Sequence, residues 1–317
     1  MKFVFEKLLE TKDNVVCVDG LFEAKLQLSH WRDNDTPYEL KADTTTEMAF
    51  KLIESSQKEK HLKGIDTVSN NHFDADGLIS AYVLVHPEMA TEYKSQLIKI
   101  AQTGDFAEFT TEDAIKTNVV IESLMDIENG PVRGELKGKS YPVMMQIIYE
   151  RGFSLLPELI DNVDKYERYW KNDFELYERS EQSFENQESV FSNYSDCKLS
   201  VIESPYKLHT VSKFSHAEFD IVLSVVKTKS GNHYQLEYKP ITWFETLRKS
   251  KVERKPFDEI AKRLQEIEKN SEGEWKILGN DPIEEWDYRL VFADEKFVSQ
   301  PSSLAIYELE SLFFELL

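Results

Sequence analysis

Apolar and polar positions alternate near the start of the chain, and Asn14-Val15-Val16-Cys17-Val18 leads into Asp19-Gly20, a pattern that predicts a strand ended by an Asp-Gly turn. A second apolar stretch, Ile65 to Val68, reads as the end of a short strand. The run Gly77 to Val85 is dense enough in small and apolar residues for a buried helix packed on a sheet. Between them, Asp43 and Thr44 precede Glu47 at capping-box spacing and open a helix through Ile53. Pro87 breaks the pattern. Helical periodicity resumes through Met89, Tyr93, Leu97 and Ile100 and ends at Thr103-Gly104-Asp105-Phe106, with Gly104 expected as the C-cap. Helices are also expected over 111–127, 141–149 and 155–179, a Gly-rich loop over 129–140, and a Ser/Asn/Glu-rich linker over 182–195.

From residue 198 the pattern changes to clustered short strands at 199–202, 208–211, 221–226 and 234–238, the last two joined as a hairpin across Lys229-Ser230-Gly231-Asn232. A helix over 257–268, strands over 275–278 and 288–292 and a terminal helix opened by Ser302-Ser303 complete the chain. The expected fold class is therefore α/β, a parallel sheet flanked by helices in residues 1–190. A smaller α+β domain with antiparallel strands follows in residues 191–317.

A chain of 317 residues exceeds a typical single core, and 41% hydrophobic residues suffice to fill two. No apolar run is long enough to span a bilayer and the N-terminus lacks a secretory pattern, so a cytoplasmic protein without membrane contact is expected. Cys17 and Cys197 match no zinc spacing and read as reduced thiols. The formal charge of −20 argues against long nucleic acid as a partner. A small anionic substrate needs local positive charge. The dense cluster Arg248, Lys249, Lys251, Arg254 and Lys255 can supply it, with Arg248, Lys249 and Arg254 the candidates to meet a phosphate; a solvated loop balancing nearby glutamates is the plain alternative. No Walker or Gly-x-Gly-x-x-Gly pattern is present, which argues against an ordinary nucleotide-dependent kinase or dehydrogenase.

Candidate chemistry concentrates at Asn70-Asn71-His72-Phe73-Asp74-Ala75-Asp76-Gly77. Positions two apart on an extended segment point the same way, so His72, Asp74 and Asp76 can share a side. Crowded carboxylates need a cation or a helix N-terminus beside them, and imidazole with carboxylate oxygens suits manganese or magnesium. The plain alternative is a helix cap at Asp74. A second element must complete such a centre, and Asp105 is preferred over Asp161 or Asp164 because a turn after the second helix can return to the sheet's carboxyl edge. His30, beside Trp31, reads as a half-buried packing residue, with a pocket wall or a group supporting the site from behind as the alternative.

The segment Asn71 to Gly77 resembles the first motif of the DHH-type phosphoesterases. That resemblance implies His72, Asp74 and Asp76 as manganese ligands, a parallel sheet covered by helices, and a smaller C-terminal domain that closes over substrate. No adjacent pair of histidines occurs, so the Asp-His-His motif of that superfamily is absent. The chain as a whole resembles an uncharacterised bacterial family of about this length through Leu28-Ser29-His30-Trp31, Asn70 to Asp74, Gly104-Asp105-Phe106, Trp243 and Ser302-Ser303-Leu304. The expected function is a metal-dependent hydrolase acting on a small phosphorylated or nucleotide-like substrate. Asp76 and Asp105 are expected at the chemistry and His72, Asp74, Asp76 and Asp105 on the metal. The alternative is a non-catalytic metal- or ligand-binding protein descended from the same fold. Oligomeric state leaves no mark in the sequence.

Overall fold

Four short strands build the first sheet: β1 (Lys2–Phe3), β2 (Val15–Val18), β3 (Leu26–Leu28) and β4 (Thr67–Ser69). Their order is β1-β4-β2-β3, and every neighbouring pair is parallel, as expected. Strands buried on both faces read as continuous apolar runs, and all four residues of β2 are fully buried. The helix Ala75–Val85 packs in this core, with Leu78, Ile79, Val83 and Leu84 at most 1% exposed. Each such side chain contributes about 1.5–3 kcal/mol on burial. Helix Thr45–Glu54 starts at the expected capping box: Thr44 accepts from the Glu47 N–H while the Glu47 carboxylate accepts from the Thr44 N–H.

Contacts divide residues 1–317, all described by this computed structural model, into two units. Unit 1 is Met1–Phe174 with Phe244–Lys251; unit 2 is Glu175–Trp243 with Val252–Leu317. The division falls inside the helix Glu167–Glu185 rather than at residue 190, and it assigns the short basic segment 244–251 to unit 1. No helix is long and apolar enough to cross a membrane.

Unit 2 holds the second sheet: β5 (Val190–Tyr194), β6 (Leu199–Ser204), β7 (Ile221–Thr228), β8 (Gly231–Tyr238), β9 (Glu274–Leu278) and β10 (Arg289–Ala293), in the order β5-β6-β7-β8-β10-β9. The expected β7–β8 hairpin forms across the turn between Thr228 and Gly231. The sheet is mixed rather than antiparallel throughout, because β6 and β7 run parallel. The cause is local: residues 208–211, expected as a strand, lead into the helix Thr210–His216, which makes the crossover a parallel pair requires. His209 caps that helix by accepting from the Val211 N–H, and Val211 and Phe214 are buried at helical spacing. A four-residue apolar window cannot separate the two periods. Strand β5 lies in the expected linker; its short, largely exposed sequence lacks an alternating apolar signal.

Arg254 is one of the largest fully buried side chains. Its guanidinium donates to Thr242 Oγ1 and to the carbonyls of Pro282, Glu285 and Trp286, tying three loops of unit 2 together. Arg254→Leu is expected to lower the stability of unit 2 by about 2–4 kcal/mol, since it strands buried carbonyls. Urea unfolding of the two proteins checks this, and a loss below about 1 kcal/mol would contradict it.

Candidate metal centre

Parallel strands share one carboxyl edge, and three of the four in unit 1 deliver a polar side chain just beyond their ends. Asp19 follows β2, His30 lies two residues beyond β3, and Asn70 and His72 follow β4. Asp19 adopts a left-handed backbone (φ 49°), which a short polar side chain tolerates better than a bulky one. That turn keeps its carboxylate inside, at 1% exposure.

Two clusters form around Asp19. In the first, His30 Nε2 lies 3.2 Å from Asp19 Oδ1, 3.2 Å from Asp105 Oδ2 and 3.7 Å from Asp76 Oδ2. In the second, His72 Nε2 lies 3.3 Å from Asp19 Oδ2 and 2.8 Å from Asp74 Oδ2. Within each cluster the candidate ligand atoms all fall within 4.8 Å of one another. The first is dry, whereas Asp74 is 41% exposed and His72 26%, so the second faces solvent.

Second contacts fix these side chains. Asp76 sits at the N-terminus of helix Thr45–Glu54, where Thr45 N–H donates to its Oδ2 at 2.7 Å and Thr46 N–H to its Oδ1 at 2.8 Å. Thr45 Oγ1 lies 3.2 Å from Asp19 Oδ1. The His30 Nδ1–H donates to the Asp43 carbonyl at 2.6 Å, which leaves Nε2 to face the carboxylates, the orientation of a metal-ligating imidazole. Phe244 stacks on the His30 ring at 4.1 Å. Asp74 is also a helix N-cap, accepting from the Gly77 N–H at 2.8 Å, so cap and cluster readings hold together. A Cβ on Gly77 would lie 2.3 Å from Asn70 Nδ2 and 3.0 Å from the Tyr149 hydroxyl, a packing only glycine allows.

Asp105 arrives from the expected second element by a different route. Helix Lys94–Phe106 continues through Gly104, and the left-handed cap is Ala107 (φ 49°). Gly104 serves close approach instead: a Cβ there would meet Asn118 Oδ1 at 2.8 Å and Ala75 Cβ at 3.1 Å. The last turn of that helix thereby reaches the start of helix Ala75–Val85 and carries Asp105 to His30.

The crowded carboxylates and imidazoles shift one another's pKa values strongly. Burial would raise the Asp19 carboxyl, yet His30 and His72 beside it hold it well below the usual carboxylate range. Burial, with the Asp19 charge adding to it, pushes Asp76 up to about 7. Burial and the Asp76 charge likewise lift Asp105 well above its ordinary value. Burial opposes protonation of both imidazoles, but their carboxylate neighbours outweigh it and push both up. Asp19 Oδ2, His30 Nε2 and Asp105 Oδ2 are buried with no aligned hydrogen-bond partner. Carboxylate and imidazole donors with orphaned buried atoms on the shared residue Asp19 are a donor set that could hold a metal ion.

Of the four residues expected at the metal centre, the structure places Asp76 and Asp105 in the first cluster and His72 and Asp74 in the second. Asp19 and His30 complete the clusters: Asp19 is not among the candidate ligands that the sequence offers, and His30 stands there only as packing or a pocket wall. Asp19 looked like a turn residue, and His30 is fully buried rather than half-buried packing. A polar residue just past each apolar strand was the available signal. Asp161 and Asp164 are surface residues, meeting the Tyr93 hydroxyl and Lys116. Among the expected phosphate-binding cations, Arg254 is consumed inside unit 2. Arg248 lies in unit 1 between Asp43 Oδ2 (3.2 Å) and Glu108 Oε2 (2.7 Å), and Lys249 follows it in the same segment.

Asp105 contributes stability at acid pH that is lost as pH rises through its raised folded value, whereas asparagine does not titrate. Metal-free Asp105→Asn is therefore expected to gain on the native protein as pH rises from about 5 to 9, and excess manganese is expected to reverse the order. Urea midpoints across that range measure it; a difference that ignores pH counts against the charge-crowding account.

No functionally curated protein matches this chain. Among solved structures, the pGpG-specific phosphodiesterase PggH from Vibrio cholerae aligns over 96% of this chain and 97% of its own, at 12% identity and a TM-score of 0.33. That superposition is too loose to transfer fold or chemistry. A family model described as a family of unknown function, DUF6687, matches residues 2–289, and the chain belongs to that family.

Proposed function

We propose that this protein is a metal-dependent hydrolase of the cell interior, a phosphoesterase acting on a small phosphorylated or nucleotide-like substrate. The observation that carries the reading is the sharing of Asp19 by two carboxylate–imidazole clusters. Asp19, His30, Asp76 and Asp105 would hold one manganese or magnesium ion, and Asp19, His72 and Asp74 the other. Such ions, when bound, lower the pKa of a water and offset charge on a phosphoryl oxygen. Asp76, locked by two backbone donors, keeps its position whatever binds beside it. Asp105 Oδ2 is buried without an aligned hydrogen-bond partner, which suits it to face an ion held beside His30. Phe244 and Phe106 flank His30 and keep that side dry. Arg248 and Lys249 are the unit 1 cations proposed for the substrate phosphate; Arg248 is 39% exposed and already bridged to two carboxylates, so it positions more than it neutralises.

Hydrolysis of bis(p-nitrophenyl) phosphate with added manganese tests the reading. Turnover above the metal blank is expected, falling at least about a hundredfold in His30→Gln and Asp19→Asn. Binding of manganese without turnover of this or of p-nitrophenyl phosphate would favour the non-catalytic alternative.

A further inference from the structure

Unit 2 contains a cavity of about 340 Å³ on one face of its sheet, within the size range of small-ligand sites. Strands β6, β7 and β8 form its floor through Ile202, Ser224, Val226 and Gln235, and the helix Thr210–His216 contributes Lys213. The opposite face of the same strands, with Val201, Val225 and Leu236, is filled by the unit 2 core, so the cavity is not a flaw in that core.

Its charge is the informative feature. The chain carries 58 acidic residues against 38 lysines and arginines, yet the cavity wall includes Lys207, Lys213 and His233 and no aspartate or glutamate. Lys213 is nearly buried and pairs with Glu237, which also accepts from Gln235 Nε2. Lys207 is exposed at the rim. His233 bonds Ser299 through Nδ1. Ser224 Oγ is buried with no hydrogen-bond partner, a polar group waiting for one. A wall that is mostly apolar, with an orphaned hydroxyl and a rim cation, suits a compact ligand with a ring or alkyl body and one anionic group.

We propose that this cavity is a binding site for a small organic anion with an apolar body, its carboxylate or equivalent directed to Lys207 and its body against Ile202 and Val226. The site stands on unit 2 residues alone and does not depend on the phosphoesterase reading.

Calorimetric titration of the full chain with 1-naphthoate and with its neutral counterpart 1-naphthylmethanol tests the proposal. Saturable binding at one site per chain is expected, with naphthoate about tenfold tighter. Lys207→Gln, a change at an exposed side chain, is expected to erase that preference. Val226→Trp, which fills the cavity, is expected to abolish binding of both while leaving the melting temperature near native; if it misfolds, Lys207→Gln decides alone. Absence of saturable binding, equal affinity for the two probes, or full binding by a folded Val226→Trp protein would overturn it.

Discussion

Charge crowding at the carboxyl edge of the first sheet is the constraint on which unit 1 depends. Asp19, Asp76 and Asp105 meet around one imidazole in a space almost closed to water, and Asp74 approaches from the solvent side. Two carboxylates about 4 Å apart repel by roughly 4 kcal/mol at the effective dielectric of a protein surface, and more inside. A fold only a few kcal/mol more stable than its unfolded state cannot carry several such pairs uncompensated. The imidazoles, Asp76 and Asp105 are all shifted upward, the direction that lessens this crowding, and a bound divalent cation would act the same way.

The architecture around this edge reads as a means of holding those charges. Three parallel strands aim residues at one edge, and helix Thr45–Glu54 spends its first two free N–H groups on Asp76. Gly77 and Gly104 bring the flanking helices closer than any side chain would permit, which lets Asp105 reach His30 from a distant part of the chain. The 244–251 segment closes the same side, with Phe244 on His30, and Asp43 Oδ1 accepting from the backbone N–H groups of Leu247 and Arg248.

Much of this was legible in the sequence. The parallel sheet of unit 1, the buried helix after β4 and the capping box at Thr44 and Glu47 follow from period and cap chemistry, whereas Asp105, expected in a turn capped by Gly104, is carried by the last turn of the helix Lys94–Phe106. The grouping of ligands was not legible. Asp19 carries a turn signature, and nothing local distinguishes a turn carboxylate pointing outward from one held inward by a left-handed backbone. His30 beside Trp31 looks like packing until Asp43, thirteen positions on, is known to orient its ring. In unit 2 the parallel β6–β7 pair was hidden because the crossover helix Thr210–His216 is short and begins in an apolar stretch shared by both periodicities. Arg254 looked like part of a basic surface because its carbonyl partners lie in loops remote in sequence.

Asp19 is the proposed common ligand of two cation sites. Manganese titration of the metal-free protein by calorimetry, for the native chain and Asp19→Asn, tests it most directly. The account predicts two ions per native chain and loss of both from the variant, with Asp74→Asn losing chiefly one. Two ions retained by Asp19→Asn, or no manganese bound by the native chain, would contradict it.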